Sequence, residues 1–436
     1  MKTQSGTDVV DLWHCPMPDG DRRDAGFPPP DEVAHVEVFH ATRETGGYNH
    51  HSALIWHDGA FYAMWSNHPS AEDAPGMRVL YSRSTDGKRW TQFEELFPPP
   101  GPVRHIDHTG PRFAASGWLL HDRRVWALAE LSLTTRFRGM DPITKQTVFA
   151  ERRDERHRFP AGRSAGACAR EVHPDGRLGP IFAVAAEDPP ELLFELADGR
   201  GVAPSVAERF EGLYVSCDRV PGAAELRRWP YDLSAPRMRE MAARASGDAL
   251  FPVPKGVNGE FALCEPAIYR ASGGGFRMLL RDGRYSHRLF VSTFDDATRS
   301  WAPARPTNIP DSPSQSAVLE LPGGALLLVG SQMAPRFDNP DEVRHYGRNP
   351  LTFAVSDDRE AFSRVFSLHV CSRETEDGWR DRVGGIFGGR AGGGQYPSAI
   401  VVNGRLCVLY SVGKVDINFS TVPLKVLALD ETTSEQ

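Results

Sequence analysis

The sequence predicts an all-β chain built as a β-propeller, and three observations carry that expectation. Tyr48-Asn49-His50-His51-Ser52-Ala53-Leu54-Ile55-Trp56 leads through the turn His57-Asp58-Gly59 into Ala60-Phe61-Tyr62-Ala63-Met64-Trp65, and an Asp-Gly turn between two apolar runs reads as a β-hairpin. The same grammar returns near the C-terminus, where Tyr396-Pro397-Ser398-Ala399-Ile400-Val401-Val402 turns at Asn403-Gly404 into Leu406-Cys407-Val408-Leu409-Tyr410-Ser411. Between them, turns at His121-Asp122-Arg123, Pro174-Asp175-Gly176, Glu211-Gly212, Gly273-Gly274-Gly275 and Gly323-Gly324 bring the candidate hairpins to seven. Units of four strands, about 40 to 60 residues apart, manage their sheet edges by radial repetition, so seven blades are expected, with six as the alternative.

The remaining segments fit around that ring. Residues 1–34 read as an N-terminal arm, proline-rich over 15–30, residues 35–428 as one propeller domain, and 429–436 as a tail. Ser234-Ala235-Pro236, followed by a run that stops at Gly247, has the cap, early proline and terminal glycine of a short inserted helix. The arginine-rich stretch 136–170 reads as a solvated loop. Ser84-Thr85-Asp86-Gly87-Lys88-Arg89-Trp90, the turn from Ser292 to Trp301 and the turn from Ser356 to Phe362 share a serine, an acidic residue and a closing aromatic. In each, the acidic side chain is expected to tie down the turn while the aromatic packs between blades.

Composition narrows the partners. Hydrophobic residues make up 40% and charged residues 25% of the 436-residue chain, and the net charge is -7, so no bulk attraction to nucleic acid or to an acidic membrane is expected. The first residues lack the apolar core of a signal peptide, which makes the cytoplasm the expected address unless a leader has been removed. The six cysteines are scattered without Cys-x-x-Cys spacing, against a zinc ribbon or disulfide scaffold. Cys264 and Cys407 are expected to fill apolar strands.

Blade geometry sorts the polar motifs. The start of an innermost strand and the end of the second strand share one face, which joins His50 and His51 to the loop Asn67-His68-Pro69-Ser70-Ala71-Glu72-Asp73. Aligning Ser52-Ala53 with Ser398-Ala399 and Ser316-Ala317 puts His50, Tyr396 and Ser314 at one depth and His51, Pro397 and Gln315 at the next, with Glu265 near the second ring. Strand alternation then allows only one of His50 and His51 to face the channel. Loops on this face carry Arg281, Arg284, Tyr285, His287 and Arg288, then Arg336, Arg344, His345 and Arg348, then Lys414 with Asp416.

An acidic chain that gathers its cations at one mouth points to an anionic ligand, most simply a carboxylate in an arginine fork with histidine and tyrosine nearby for proton transfer. The candidate catalytic residues are His50, His51, Tyr285 and Tyr396; the candidate binding residues are His68, Glu265, Arg281, Arg284, His287, Arg288, Gln315 and Lys414. The competing reading pairs the arginines with Asp282 and Glu265 as a structural rim, and leaves the tyrosines as a sugar-stacking platform. His105-Ile106-Asp107-His108 has ligand types but reads as a loop, and no metal is expected there. The glycine-rich runs lack the Lys-Ser/Thr and helix of a phosphate cradle.

Over residues 36–424 the chain resembles the sialidase-type propeller superfamily, and the three acidic turns resemble degenerate Asp boxes of that group. Tyr48-Asn49-His50-His51-Ser52-Ala53, Ala63-Met64-Trp65-Ser66-Asn67, the segment from Arg281 to Arg288, the segment from Thr307 to Gln315 and Gln395-Tyr396-Pro397-Ser398-Ala399 are similar to segments of the seven-bladed ulvan lyases, rhamnosyl-glucuronate lyases and their rhamnosidase relatives. The resemblance implies an enzyme that cleaves an acidic oligosaccharide or polysaccharide at a uronic acid. β-Elimination is the leading expectation: Arg284 or Arg288 neutralises the carboxylate, a histidine or tyrosine removes the C5 proton, and a second group protonates the departing O4. No cofactor is required, although a structural cation such as Ca2+ is compatible. The rivals are a sialidase-like exo-hydrolase, for example a rhamnosidase using a base-activated water, and a non-catalytic glycan-binding propeller. No Arg-Ile-Pro strand and no Tyr/Glu nucleophile pair can be picked out of the sequence, so sialic acid is not expected as a substrate.

Overall fold

The computed structural model describes residues 9–427 apart from 102–109, 141–146, 150–162, 187–262, 283–285, 335–347, 372–392 and a few shorter gaps. After β1 (Ala34–Phe39), strands β2 (Tyr48–His57), β3 (Ala60–His68), β4 (Arg78–Ser84) and β5 (Glu94–Phe97) form the first antiparallel sheet in chain order. The second sheet opens with β6 (Gly110–His121) and β7 (Arg124–Thr134). A small ribbon of β8 (Phe137–Met140) and β9 (Thr147–Phe149) intervenes before β10 (Arg163–Val172) and β11 (Leu178–Ala186) complete it.

The third sheet takes β12 (Leu263–Arg270), β13 (Phe276–Asp282), β14 (Arg288–Asp295) and β15 (Ser300–Trp301), with β16 (Arg305–Pro310) also paired to β14. The fourth is β17 (Ala317–Glu320), β18 (Leu326–Gly330), β19 (Leu351–Ser356) and β20 (Arg364–His369). In the fifth, β21 (Gly394–Val402), β22 (Arg405–Val412) and β23 (Asp416–Pro423) are joined on the outside by β1, with Val36 opposite Phe419. A strand from the start of the chain thus supplies the outermost strand of the last sheet, tying the two ends of the propeller together.

Apolar side chains fill the wedges between neighbouring sheets. Met64, Tyr81, Phe113 and Trp118 join the first sheet to the second, while Trp65, Leu409 and Phe419 join it to the fifth. Tyr410 and Phe353 join the fifth to the fourth, and Leu279 and Leu328 join the fourth to the third. Innermost strands touch along the axis: Ser52 Oγ donates to the Tyr396 carbonyl at 2.8 Å, and Leu54 N donates to Ser398 Oγ at 3.0 Å.

The acidic turns lie at the opposite face from the starts of the innermost strands. Asp86 Oδ1 accepts from the Lys88 and Arg89 amides, both at 2.8 Å, and Asp358 Oδ1 from those of Glu360 and Ala361. Trp90 packs on Phe61 and on Phe419 of the neighbouring sheet, 6.2 and 5.3 Å between ring centroids.

Two sequence expectations change. Pro174-Asp175-Gly176 joins β10 to β11 in the second sheet and opens no sheet of its own, so counting hairpins overcounts sheets there. The stretch 136–170 contains β8, β9 and most of β10, where Cys168 is buried; the small residues Ser164-Ala165-Gly166-Ala167 give little apolar alternation to read as a strand. The proline-rich arm lies against the ring, with Trp13 and Phe27 buried, Val10 bridged to Thr307 and Trp13 to Phe362. The Glu211-Gly212 turn and the helix expected after Ser234 lie outside the described residues. Five four-stranded units are therefore described, the third of them extended by β16.

Candidate active site

Three innermost strands carry the same irregularity at the same place. In β2 the register slips between His50 and Ala53, in β12 between Cys264 and Ala267, and in β21 between Gln395 and Ser398. At each slip a non-glycine residue takes a left-handed backbone: His51 at φ 55°, Glu265 at φ 56° and Tyr396 at φ 53°. Such a conformation costs on the order of 1 to 3 kcal/mol and persists where packing holds it, commonly at functional sites. A bulge re-aims the side chains around it.

The matching positions of the bulges make Ala53 the counterpart of Ser398, one residue off the alignment of Ser52-Ala53 with Ser398-Ala399. His51, and not His50, is the counterpart of Tyr396 and Glu265. They also break the strand alternation that was expected to turn one histidine away. The His50 and His51 rings both meet Tyr396, at centroid distances of 4.0 and 5.5 Å, and each other at 4.8 Å.

Tyr396 stands at the centre. Its hydroxyl donates to Glu265 Oε1 at 2.7 Å and accepts from Arg281 at 3.2 Å, while the same arginine pairs with Glu265 at 2.8 Å. Burial holds the phenol well above its ordinary pKa despite Arg281 close by, so the proton stays on oxygen until a base takes it. Burial opposes the Arg281 charge, and the Glu265 carboxylate beside it more than restores it. Arg348 lies over the Tyr396 ring, 5.6 Å from its centroid, held by Gln395 Oε1 and by the Pro313 carbonyl at 2.6 Å. Asp311, at the end of β16, is wholly buried; neither carboxylate oxygen has a hydrogen-bond partner among the described residues, and burial pushes its pKa well up against the pull of Arg281.

The histidine side is organised by serines from second strands. His50 Nδ1 shares a hydrogen bond with Ser411 Oγ at 2.7 Å, and His51 Nδ1 with Ser66 Oγ at 3.2 Å. Ser66 Oγ also receives the Ala115 amide of the next sheet at 2.9 Å. Burial, then Lys414, hold His50 well below the usual imidazole pKa, so its ring is neutral. His51 Nε2 lies 3.9 Å from Glu72 Oε1, and Lys414 Nζ is 2.5 Å from Glu72 Oε2.

Of the residues singled out in the sequence, His50, His51, Tyr396, Glu265, Arg281 and Lys414 come together. His68 spends both ring nitrogens on its own loop, accepting from Ser70 N and facing the Pro75 carbonyl, each at 3.2 Å, so its placement is that of a loop anchor. His287 is buried at φ 56° and its carbonyl receives the Asp311 amide. Arg288 begins β14 one residue on, and Gln315 is buried before β17. Arg284, Tyr285, Arg336, Arg344, His345 and the His105–His108 motif lie outside the described residues.

One expectation about the chemistry is corrected. A Tyr/Glu pair does exist, in Tyr396 and Glu265, which are 131 residues apart in sequence. The described guanidiniums at the centre are Arg281 and Arg348; Arg284, expected on the carboxylate, lies outside the described residues. Cys264, expected as plain core, receives Arg281 Nε at 3.3 Å. Sequence reasoning also passed over Glu72 and Asp311, each quoted only within a longer motif; the one hint was that both stand in loops opening on the histidine face.

Antiparallel four-stranded sheets packed side by side, with Tyr396, Glu265 and His51 on their innermost strands, make a sialidase-like β-propeller. The BNR repeat-like domain profile matches residues 195–417, more than half of the chain, and the protein belongs to that family. A second profile, the BT_1020-like N-terminal beta propeller, matches residues 19–191. Among solved structures, one described as a sialidase is similar at a TM-score of 0.63 and 19% identity, over 96% of this chain and 35% of the other. A leech intramolecular trans-sialidase, complexed with 2,7-anhydro-Neu5Ac, is similar at 0.51 and 11% identity, over 90% of this chain and 71% of the other. At these identities the likeness is one of fold. No curated protein matches the sequence.

Proposed function

We propose that the protein is an exo-acting glycoside hydrolase that works by double displacement on a carboxylated sugar, with Tyr396 as nucleophile and Glu265 as its base. The observation that carries this reading is the 2.7 Å hydrogen bond from the Tyr396 hydroxyl to a carboxylate that Arg281 also holds. Glu265 takes the phenolic proton as Tyr396 Oη bonds to the anomeric carbon and the glycosidic C–O bond breaks. The leaving oxygen takes a proton from the His51–Glu72 pair. Water then attacks the anomeric carbon of the tyrosyl intermediate and the phenol is regenerated.

Arg281 lies 3.2 Å from the nucleophilic oxygen itself. A carboxylate bound there sits within a bond or two of the carbon under attack, which favours sugar acids whose carboxylate adjoins the reacting centre. A neutral phenol suits such a substrate, because an anionic nucleophile would be repelled by that carboxylate.

β-Elimination at a uronate is the second reading. It is favoured by the two imidazoles against Tyr396, which give a neutral imidazole base beside a phenolic acid, and by the same closeness of arginine to the reacting carbon. The test is product analysis on carboxylated aryl glycosides and uronate-bearing oligosaccharides. Double displacement releases a reducing sugar acid with retained anomeric configuration; elimination releases an unsaturated uronate that absorbs in the ultraviolet. Inversion of configuration would refute the tyrosine nucleophile, and no cleavage of any substrate in the panel would favour a glycan-binding propeller.

A further inference from the structure

We propose that His50, His51 and Glu72 form a binding site for a single transition-metal ion of the zinc class, beside Tyr396. One ring nitrogen from each histidine and one Glu72 carboxylate oxygen lie within 4.8 Å of one another. The set is the two-imidazole, one-carboxylate type that holds zinc with an open coordination position. Bonds of about 2.0 to 2.2 Å require ligand atoms closer than this, so the ion draws the three together by an ångström or so, chiefly through Glu72. That residue is on the half-buried loop after β3, whereas the histidines are fixed by the β2 bulge.

Two further observations support the site independently of this grouping. Each histidine commits Nδ1 to a serine of a second strand, His50 to Ser411 and His51 to Ser66. Anchoring one ring nitrogen by an outer hydrogen bond, so that the other is presented as a lone pair, is the arrangement seen behind metal-ligating histidines. In addition His50 Nε2 is wholly buried and has no hydrogen-bond partner among the described residues. An unpaired imidazole nitrogen without solvent access costs free energy that a ligand recovers.

The surrounding charge sets the affinity. Lys414 is paired with Glu72 Oε2, and Arg281 and Arg348 are near enough to act on His50. The Glu72 and Glu265 carboxylates offset part of that positive field, and Lys414 competes with the ion for Glu72. The arrangement therefore makes a specific prediction: removing Lys414 tightens metal binding, whereas removing a member of an anion pocket weakens anion binding. Soft N-donors with one carboxylate select zinc, cobalt, nickel or copper over calcium or magnesium, which take oxygen ligands.

With the ion bound, His51 and Glu72 no longer serve as the proton donor given to them in the hydrolase reading, so the inference is an alternative to that one step; it is read by metal binding without turnover, and its failure leaves the Tyr396–Glu265 assignment untouched. The full-length chain, stripped with chelator and dialysed, is titrated with Co2+ and Zn2+. One equivalent of Co2+ is expected, with visible ligand-field bands displaced by Zn2+. His50→Ala and His51→Ala should each lower the affinity at least about 100-fold, at the upper end of what loss of an outer partner costs. Lys414→Met should raise it about tenfold, while His40→Ala, in an exposed group with Glu37 and Asp416, and Tyr396→Phe should leave it within about twofold. Should the histidine variants prove unstable, Lys414→Met and the band positions still decide. Absence of stoichiometric Co2+ or Zn2+ binding to the wild-type chain overturns the proposal, as does binding unchanged in both histidine variants or weakened by Lys414→Met.

Discussion

Replacing Tyr396 by phenylalanine removes a single oxygen, and the surroundings of that oxygen fix what should follow. The hydroxyl donates to Glu265 and accepts from Arg281. Hydrogen bonds to charged groups contribute on the order of 1.5 to 3 kcal/mol. Glu265 keeps Arg281 at 2.8 Å, so the carboxylate is not left as an uncompensated buried charge, and the cost in stability should stay near about 2 kcal/mol. Catalysis should suffer far more. Without a nucleophile only direct attack by water remains, and kcat should fall by about 1000-fold or more, roughly 4 kcal/mol in the barrier. Substrate affinity resides mainly in the guanidiniums, so KM should move less than about threefold. Glu265→Gln provides the contrast: it leaves Arg281 without its buried counter-ion, which costs up to about 3 to 5 kcal/mol, and should lose both stability and turnover. Chemical denaturation and initial rates on the best aryl glycoside measure these quantities. A Tyr396→Phe variant that retained more than about a tenth of wild-type kcat would refute the assignment of the hydroxyl as the reacting group.

Three other outcomes are expected. Arg281→Lys, which keeps a charge but loses the fork shared between Glu265 and Tyr396, should weaken a carboxylated substrate about 10- to 100-fold in kcat/KM while leaving its neutral amide analogue little changed; equal losses on both would show that the carboxylate is bound elsewhere. At the ring closure His35 stacks on His369 at 4.4 Å, Tyr410 OH is 2.8 Å from His369 Nδ1, and burial, then His35, depress the His369 pKa from 6.5 to about 4. A depressed imidazole means the unfolded chain binds the extra proton first, so stability is full above about pH 6.5 and declines as pH falls toward about 4, by roughly 1 to 2 kcal/mol once solvent screening is allowed for. Denaturation midpoints measured across that window should show the slope, and His369→Asn should flatten it; an unchanged slope in the variant would rule the pair out. Finally, a Cβ at Gly394 would stand 2.7 Å from Leu351 Cβ and 3.0 Å from its Cδ2, so Gly394→Ala should cost about 1 to 3 kcal/mol and reduce turnover by shifting the strand that carries Tyr396. Wild-type thermal stability in that variant would contradict the close packing.

Hairpin grammar made the fold legible because Asp-Gly and Asn-Gly turns between apolar runs are local signals that need no knowledge of distant residues. The same reasoning brought His50, His51, Tyr396, Arg281 and Lys414 to one face, since the direction of a hairpin determines which end of each strand opens there. It stopped short at Pro174-Asp175-Gly176, because a turn between the outer strands of a sheet is locally identical to one between inner strands. It also misjudged the relative register by one residue, because it aligned Ser52-Ala53 with Ser398-Ala399, whereas the bulges make Ala53 the counterpart of Ser398.

The sequence by itself determined an all-β ring, its repeat and the concentration of cations at one mouth, all of which follow from patterns within a few residues. Only the tertiary structure decided that Tyr396 meets Glu265 and Arg281, and that Glu72 faces His51 and Lys414. Tyr396 is on the fifth sheet while Glu265 and Arg281 are on the third, and Lys414 belongs to the fifth while Glu72 belongs to the first; their meeting depends on how the sheets pack around the axis and on three left-handed residues whose strain that packing sustains. A side chain's neighbour across the axis is set by the whole circuit of the chain, and no local rule along the sequence encodes it.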